Sequence, residues 1–580
     1  MCGIAGIVGS RQGREGMEAA LRRMQSRLAH RGPDGCGIWV SSDGASGLAH
    51  TRLAIIDPGP GAAQPMADGG FHLVFNGEIY NYRELAEGAP GSGGDTKVLL
   101  HRIAQRGTGG LAALAGMYAF GLVDEARGAL LLARDPLGIK PLYYADTPMG
   151  FVFASEVRAI LASGLVPAKP DPQAAAGFFR SGSVPEPLTI IEGVSCLPAG
   201  HFLEKAADGA LRTGCIAPEP ASPEGWSLAG ALEESCRRHL VSDVPVGVFL
   251  SGGVDSSAIA RLSTQAGQVT EAFSLIFDEQ RLSEEAAVRS SASAMGLKLH
   301  VKTLRAEEAR SQFEEFLNAQ DQPGIDGFNT YCISGFARQQ GFRVVLSGVG
   351  GDELFGGYPS FRSVPRWAAI GAALPAALRR PVGQLADAAI RSGKVRRIGT
   401  WLQEPPGISA AYRLVRGIFS RCETRVLLSH FGMGAVAGSE AGSSCDERRD
   451  PGEAVACLES SLYLRNQLLR DSDVMSMAHG LELRLPLVDS RLWSGVGRMA
   501  PSVRFAPGKQ ALREAVPGLK EVISAGPKRG FTLPLQDWMD GTWSGMPAVH
   551  ALGRTLDVGH WSRKLAIISF AHALERMSAG

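Results

Sequence analysis

The chain has 580 residues, 45% of them hydrophobic and 20% charged, a composition typical of a globular enzyme with two to four domains. Lys and Arg number 59 and Asp and Glu 58, so the net charge of +1 gives no reason to expect nucleic acid or another polyanion as a partner. No apolar stretch approaches the roughly 18 residues of a membrane span. The first residues do not resemble a secretion signal, so we expect no membrane partner and a cytoplasmic location.

The nine cysteines are scattered and form no CxxC pair, so we expect reduced thiols and no structural zinc site. Only Cys2 has a position in the chain that suggests a chemical role. Removal of Met1 would leave its thiol beside a free α-amine, whose reference pKa of about 7.7–8.0 suits a base that takes the thiol proton. The apolar segment that follows, GIAGIVG (3–9), predicts a buried strand rather than a frayed terminus.

The first 210 residues alternate short apolar runs with Gly-rich turns. Residues 17–30 have apolar side chains at helical spacing and predict an amphipathic helix. Residues 71–81, 119–135 and 141–145 are typical of strands in an all-β or α/β sandwich. Polar clusters lie beside these runs, and they are HRGPDG (30–35), HTRLAIID (50–57), FNGEIYNY (75–82) and GSGGDTKVLL (91–100).

These clusters contain the groups that a site for free glutamine needs. Arg52 can grip the α-carboxylate with two parallel hydrogen bonds. Glu78 and Asp95 can hold the α-ammonium group. The side-chain amide of Asn76 and the backbone N–H of Gly77 can form an oxyanion hole for the acyl-transfer intermediate.

With RDPLGIKPLYY (134–144), these motifs closely resemble the class-II glutamine amidotransferase domain, in which the N-terminal residue is the nucleophile. The resemblance covers about residues 1–205. It implies an N-terminal-nucleophile αββα sandwich and hydrolysis of L-glutamine through a thioester on Cys2, which releases ammonia. Gly94 departs from the pattern, because many relatives have serine before the aspartate that Asp95 matches.

A linker follows, at residues 211–227, which are rich in Pro, Gly, Ala and Glu. We therefore predict a glutaminase domain at 1–210 and a second domain at 228–580. In the second, a buried strand (VGVFL, 246–250) ends in the turn SGGVDSS (251–257), which opens a helix. A strand, a Gly-rich turn and a helix N-terminus can cradle phosphate, but no GK[ST] follows, so this is not a Walker loop.

SGGxDSS instead resembles the signature of the pyrophosphate-loop enzymes, which split ATP between its α- and β-phosphates. The resemblance implies that adenine lies near Leu275 on the next strand (272–280) and that the strand and loop at 343–358 complete the site. It also implies Mg²⁺ held by Asp255 and Asp352. The implied ATP and pyrophosphate ligands are Ser251, Gly252, Gly253, Asp255, Ser256, Ser257, Leu275, Ser347 and Gly348.

Two later segments, 469–489 and 527–538, resemble the synthetase domain of glutamine-hydrolysing asparagine synthetases. The first has helical spacing and ends in ELRLPLVD, where Glu482 and Arg484 suit a structural role as well as a functional one. In the second, Lys528 matches a lysine that neutralises phosphate charge during adenylation. The resemblance now covers nearly the whole chain, apart from the Ala- and Arg-rich residues 362–450, which we expect to be helices walling the acceptor side.

The family implies α/β and α+β architecture, with the sandwich followed by a doubly wound parallel-sheet adenylating domain carrying extra helices. It implies ATP as co-substrate, glutamine as donor, a carboxylate acceptor with L-aspartate as the default, and a homodimer as in many relatives. Val349 departs from it, because the family usually has an acidic residue there to meet the substrate ammonium group. The acceptor can therefore be another carboxylate, such as a polysaccharide sugar acid or a secondary-metabolite intermediate.

Two alternative functions would share parts of this pattern. Intramolecular amide closure, as in β-lactam synthetases and lasso-peptide cyclases, needs no external ammonia, and Cys2 with its full set of glutamine ligands argues against it. A regulatory protein descended from such an enzyme would have a damaged site, whereas both sets of motifs here are intact.

Overall fold

The computed structural model describes residues 2–86, 94–217, 225–278, 285–389, 392–434, 445–523, 533–541, 543, 547–553 and 555–579. Lys528, the predicted phosphate-neutralising lysine, lies outside the described residues. Among the helices of the described ranges, none is long and apolar enough to cross a membrane.

The N-terminal part of the chain folds into short antiparallel strands, as its apolar runs and Gly-rich turns predict. Their bounds are β1 (Cys2–Val8), β2 (Gly35–Val40), β3 (Ser46–Arg52), β4 (Met66–Asp68), β5 (Phe71–Ile79), β6 (Gly116–Asp124), β7 (Ala129–Arg134), β8 (Tyr143–Thr147), β9 (Gly150–Ala154), β10 (Ser195–Cys196), β11 (His201–Lys205) and β12 (Leu211–Cys215). Within the described ranges they pair into two six-stranded sheets, in the orders β10-β8-β9-β1-β3-β2 and β12-β11-β7-β6-β5-β4.

The two sheets stack face to face between helices. The helices of this part are α1 (Gly13–Arg27), α2 (Tyr82–Leu85), α3 (Asp95–Arg106), α4 (Val157–Ala162) and α5 (Pro172–Ser181). Successive side chains of a strand point to opposite faces, so Val74 joins Ile4 and Phe153 in the apolar layer between the sheets, whereas Phe75 packs against Leu99 of α3. Helix α1 packs on the other sheet, against β1, β2 and β3. The predicted αββα sandwich is confirmed.

The second part is built around a parallel sheet. Its strands are β13 (Val246–Phe249), β14 (Glu271–Phe277), β15 (Lys298–Leu304), β16 (Val344–Leu346) and β17 (Glu482–Arg484), in the order β15-β14-β13-β16-β17. The chain moves outward from β13 to β15 and then returns to the other side of β13. The strand order therefore reverses between β13 and β16, and such a reversal is where doubly wound sheets bind ligands. The predicted fold class is confirmed here too.

Helices connect and surround these strands. The first group, α6 to α11, is Leu228–His239, Val254–Gln265, Glu285–Ala294, Ala306–Ala319, Phe328–Gln339 and Gly351–Phe355. The group α12 to α18 is Ser360–Ala373, Ala376–Ala389, Gly393–Gln403, Ile408–Arg416, Arg421–His430, Pro451–Leu458 and Arg470–Met477, with a π-helical stretch at Glu459–Leu469 before α18. The last group, α19 to α25, is Ser490–Val496, Pro501–Arg504, Gln510–Ala515, Leu519–Val522, Leu535–Asp540, Pro547–Leu552 and Trp561–Ala579.

The two parts share one continuous apolar core. A single buried cluster includes Leu21 of α1 and Val248 of β13. Phe179 of α5 packs against Phe570 of α25, with ring centres 4.6 Å apart. Because close-packed interiors resist sliding, this shared core holds the two catalytic parts in one relative position.

Charged side chains also cross between the two parts. Asp473 of α18 receives Arg31 at 2.7 Å and Lys140 at 3.3 Å, and all three side chains are buried. Each residue belongs to one of the motifs named above, which are HRGPDG (30–35), RDPLGIKPLYY (134–144) and the segment 469–489. A carboxylate removed from water needs such partners. These motifs therefore form part of the interface between the two parts.

Two features differ from, or add to, the predictions. Cys445 and Cys457 form a disulfide, with Cα atoms 5.9 Å apart, which corrects the expectation that the cysteines are reduced. Sequence spacing did not reveal the pair because only the fold brings Cys445 back against α17. Residues 211–215 lie within the predicted linker and form β12, the edge strand of the second sheet. The domain boundaries themselves remain a prediction.

Candidate active sites

Cys2 begins β1 and lies opposite Arg52, the last residue of β3. Its side chain is buried, and that burial raises the pKa of the thiol. A thiol with a raised pKa needs a base to become a nucleophile. The α-amine that Cys2 would expose after loss of Met1 is the base closest to it along the chain.

Asn76 provides the hydrogen-bonding partner of this nitrogen. Its Oδ1 accepts a 3.0 Å hydrogen bond from the backbone N–H of Cys2. Its Nδ2 is buried and finds no hydrogen-bond partner among the described residues. A buried amide donor without a partner costs free energy, and a developing oxyanion beside Cys2 would satisfy it.

Gly77 follows Asn76 in a backbone conformation that requires glycine. Its φ is +146°, and a Cβ atom at this position would lie 2.0 Å from the carbonyl oxygen of Met117. Any other residue would push β5 away from β6 and displace Asn76 from Cys2. The dipeptide is therefore set by the sheet and is not an ordinary hairpin turn.

Glu78 and Asp95 are two buried carboxyl groups close to each other, and Glu78 directly follows Gly77. Burial, with the nearby charges of Glu482 and Asp95, raises the pKa of the Glu78 carboxyl well above its usual range. Burial also raises the pKa of Asp95 to about 6, although the backbone N–H of Ile79 donates to it at 3.0 Å. A cation bound between the two carboxylates would restore their charge, as expected of a site for an α-ammonium group.

Arg52 is held by backbone carbonyls in this structure. Its two terminal nitrogens donate to the oxygens of Gly59, at 2.7 Å, and Asp57. The register places it beside Cys2, where a substrate carboxylate would be expected. To grip that carboxylate with both nitrogens, it would have to exchange at least one of these carbonyls.

Arg31 and Arg484 reach this site without having been predicted to do so. Arg31 is buried and donates to the carbonyl oxygen of Cys2 at 3.1 Å. Arg484, from β17, lies 3.6 Å from Glu78 and also pairs with Glu482. Their motifs, HRGPDG and ELRLPLVD, were visible in the sequence. Nothing in either motif indicated that Arg31 contacts Cys2 or that Arg484 contacts Glu78.

The second candidate site lies at the reversal of the parallel sheet. The loops after β13 and β16 touch there, because a Cβ on Gly348 would lie 2.7 Å from the backbone nitrogen of Ser256. Within the first loop, the hydroxyl groups of Ser251 and Ser256 are 2.9 Å apart. Gly252 has a φ of +70°, which allows the turn into α7.

A cavity of about 1360 Å³ opens between these loops. Eight of the predicted ligands line it, and they are Ser251, Gly252, Gly253, Asp255, Ser256, Ser347, Gly348 and Asp352. Leu275 and Ser257, though described and buried, are not among its lining residues. The predicted set is thus largely brought together, apart from these two and from Lys528, which falls outside the described ranges.

Lys509 is a residue of this cavity that sequence analysis missed. Its ammonium group pairs with both predicted metal ligands, with Asp352 at 2.6 Å and with Asp255. It is buried, and the two carboxylates raise its pKa against the effect of burial. Its distance along the chain from both loops left no local signal of this contact.

Glu353 is a further buried carboxylate that lines this cavity. Glu353 accepts a 2.8 Å hydrogen bond from the hydroxyl of Tyr358, and burial raises its pKa to about 7. Val349 lines the same cavity, as do Arg362 and Arg366, which are one turn apart on α12 and exposed. Of the lining residues described between 362 and 450, none is acidic.

Comparison with known proteins agrees with this arrangement. A glutamine amidotransferase domain model matches residues 1–214 and an asparagine synthase model matches residues 227–546. A Mycobacterium tuberculosis protein provisionally named asparagine synthetase [glutamine-hydrolyzing] is 32% identical over 93% of this chain and 88% of its own length. Asparagine synthetase [glutamine-hydrolyzing] 1 of Bacillus subtilis is 29% identical over the same shares. Amidase chry2 of Gibberella zeae is 32% identical over 58% of this chain and 55% of its own.

The order of the two matches along the chain is that of the two sites. The family uses ATP, and the resemblance inferred from the motifs is confirmed. The chain belongs to the glutamine-hydrolysing asparagine synthetase family and is a glutamine-dependent carbon–nitrogen ligase.

Proposed function

We propose that this protein converts a carboxylate into a carboxamide with nitrogen from glutamine and energy from ATP. Glutamine would be hydrolysed at Cys2 to glutamate and ammonia. The acceptor carboxylate would attack ATP to give a carboxyl-adenylate and pyrophosphate, and ammonia would then displace AMP. The observation that carries this proposal is the meeting of the loops after β13 and β16 at the reversal of the strand order.

The donor half of the proposal rests on Cys2 and Asn76. The unpartnered Nδ2 of Asn76 supports its role as an oxyanion donor, with the backbone of Gly77 as the second. Ammonia in neutral water is mostly ammonium, which is not a nucleophile. Release inside the protein, close to the shared core, would keep it neutral on its way to the adenylate.

Magnesium fits the charge pattern of the synthetase cavity. Asp255 and Asp352 already contact one cation, the ammonium group of Lys509. Mg²⁺ prefers one or two carboxylates together with phosphate oxygens, and bound there it would neutralise phosphate charge. Lys509 would then give up its carboxylates and donate to phosphate oxygens. Lys528, outside the described residues, keeps its proposed role as a transition-state cation.

L-Aspartate is the first acceptor to test, because relatives named asparagine synthetase cover most of this chain. A carboxylate without an α-amine is the second candidate. Val349 supports it, since valine cannot hold an ammonium group, and no acidic lining residue described in 362–450 takes its place. Arg362 and Arg366 favour an acceptor with a further anionic group. Assembly as a homodimer remains a prediction.

The test is a panel assay. The protein is incubated with glutamine, Mg-ATP and one carboxylate at a time, and AMP, pyrophosphate and glutamate are measured. We expect AMP to form only with the true acceptor and in equal amounts to carboxamide. Release of AMP over many turnovers that needs neither glutamine nor ammonium chloride would contradict the amidotransferase and favour a cyclase.

A further inference from the structure

Exposed apolar side chains are concentrated in one short stretch of this molecule. Nine large apolar side chains of the described residues are exposed, and five of them lie between residues 370 and 385. The five are Ile370, Leu374, Leu378, Val382 and Leu385. Single exposed apolar residues are ordinary on a protein surface, whereas such a concentration is typical of a surface that binds a partner.

Three of these side chains form a stripe along α13. Leu378, Val382 and Leu385 are four and three residues apart, which places them on one face of a helix. They are 58%, 52% and 68% exposed. Each residue is more than half exposed, so the described part of the chain leaves the stripe uncovered.

A different face of α13 packs on α14. Gly383 is buried there, and a Cβ atom at this position would lie 2.7 Å from a backbone carbonyl oxygen of α14. Arg379, one turn earlier, donates to the carbonyl oxygen of Glu404, the residue that follows α14. Leu378 and Val382 each precede one of the two α13 residues in this contact, so they point about 100° away from it. The contact with α14 therefore keeps the stripe exposed.

The same stretch of chain is strongly basic. Residues 362–397 contain eight Lys or Arg and a single Asp or Glu, in a chain whose net charge is only +1. Among the described cations of this stretch, the exposed ones are Arg362, Arg366, Arg380 and Lys394. Exposed aliphatic side chains together with exposed cations are typical of helices that lie in the headgroup region of a bilayer.

The charge of this stretch decides between the partners that could cover the stripe. A two-fold contact between copies of the chain would bring the same basic stretch of each copy together, and like charges repel. An anionic surface is complementary to it. A bilayer with anionic lipids supplies that charge and also accepts a row of aliphatic side chains, whereas a protein partner would need a groove of matching shape.

We propose that α13, with the end of α12, binds the surface of a membrane that contains anionic lipids. The stripe would enter the boundary between headgroups and acyl chains, and the exposed cations would contact lipid phosphates. Ile370 is exposed and also lines the synthetase cavity, so the membrane would lie beside the opening of that cavity. An interfacial helix needs no spanning segment, and the sequence-based expectation of no membrane partner is revised accordingly. This inference goes beyond the proposed function and requires neither glutamine nor ATP.

The first test is co-sedimentation of the full-length protein with two kinds of vesicle, one of phosphatidylcholine alone and one of phosphatidylcholine mixed with phosphatidylglycerol. We expect binding to the anionic vesicles to be about 10-fold tighter than to the neutral ones, because several cations lie near the surface. Raising NaCl should weaken it. Equal binding to both vesicles, or none to either, would overturn the proposal, and the latter would leave an acidic protein as the partner.

Two variants locate the contact. Leu385→Ser should weaken binding to anionic vesicles about 10-fold, because it removes an apolar side chain that enters the bilayer. Arg380→Gln should weaken it about fivefold and make it less sensitive to NaCl. The matched controls are Leu211→Ser, at an exposed leucine on β12, and Arg127→Gln, at an exposed arginine between β6 and β7. Both controls should bind as the wild type does. Unchanged binding of Leu385→Ser and Arg380→Gln would place the contact elsewhere on the protein and overturn the proposal.

Light scattering without vesicles distinguishes the membrane from a second copy of the chain. We expect the same molar mass for the wild type and for Leu385→Ser. A wild-type dimer that Leu385→Ser converts to monomers would show that the stripe is a contact between copies, and it would overturn the proposal. The melting temperatures of Leu385→Ser and Arg380→Gln should match that of the wild type, because both side chains are exposed.

Discussion

The glutaminase site and the synthetase cavity are built in different ways. Cys2 lies on β1 of one sheet, and Asn76 and Gly77 lie on β5 of the facing sheet, where strand register and buried hydrogen bonds leave little room for change. The synthetase cavity is about 1360 Å³ and is walled by loops and by helix α12. Under the proposed function, donor chemistry depends on residues that the sheets hold, whereas acceptor choice depends on side chains that can vary without disturbing a strand.

The sharpest way to separate the two sites is Cys2→Ala. Loss of the nucleophile should lower glutamine hydrolysis by at least roughly 1000-fold. Amide synthesis from ammonium chloride should persist, because the synthetase cavity is untouched. Glutamate and AMP release measure the two halves, and Cys36→Ala, at an exposed thiol on β2, is the control. Glutamine-driven AMP formation in Cys2→Ala would show that the nucleophile is another residue.

Asn76→Ala tests whether the unpartnered amide serves the reaction. Removing one oxyanion donor should lower kcat for glutamine hydrolysis about 100- to 1000-fold with little change in KM. Asn81→Ala is the matched control, because within the described ranges that buried amide bonds to the backbone of Ala113 and Ala115 alone. It should lower the melting temperature and keep kcat. Equal losses of kcat in both variants would reduce Asn76 to a structural role.

Val349→Glu tests which acceptor the synthetase cavity binds. A carboxylate here should improve binding of an acceptor that carries an α-amine, such as L-aspartate, by about 10- to 100-fold, the value of a charge-assisted hydrogen bond. Val349→Gln has similar size without the charge and should give little gain. The measurement is the Kd for L-aspartate of the wild type and both variants, by titration calorimetry. Wild-type protein that binds L-aspartate as well as the Val349→Glu variant would mean that another residue, with Glu353 the nearest candidate, holds the amine.

The smallest expected effect is on pH. The pKa of Asp95 is raised to about 6, so its carboxylate is charged at pH 7 and protonated at pH 5. A protonated Asp95 cannot attract the glutamine ammonium group, and KM for glutamine should therefore rise about 10-fold between pH 7 and pH 5. Asp95→Asn should raise KM at pH 7 and flatten this dependence. KM of the wild type that is constant from pH 7 to pH 5 would contradict the assignment.

Sequence reasoning succeeded where a short motif carries its own geometry. SGGVDSS is a strand end, a turn and a helix start, so its phosphate-binding shape is local. The pairing of Cys2 with Arg52 was also within reach, because both belong to apolar runs that had to form strands. Leu275 and Ser257 are buried but are not lining residues of the cavity, since the orientation of a side chain on a strand or helix depends on what packs around it, and their roles stay predictions.

By itself, the sequence determined the order of the two parts and the family, and it predicted the nucleophile, because these are recorded in contiguous residues. Tertiary structure alone decided that Lys509 pairs with Asp255 and Asp352 and that Arg484 reaches Glu78. These contacts join residues far apart in the chain, and no local pattern encodes them. They exist because burying the shared apolar core brings the charged groups together, and buried charges then need partners.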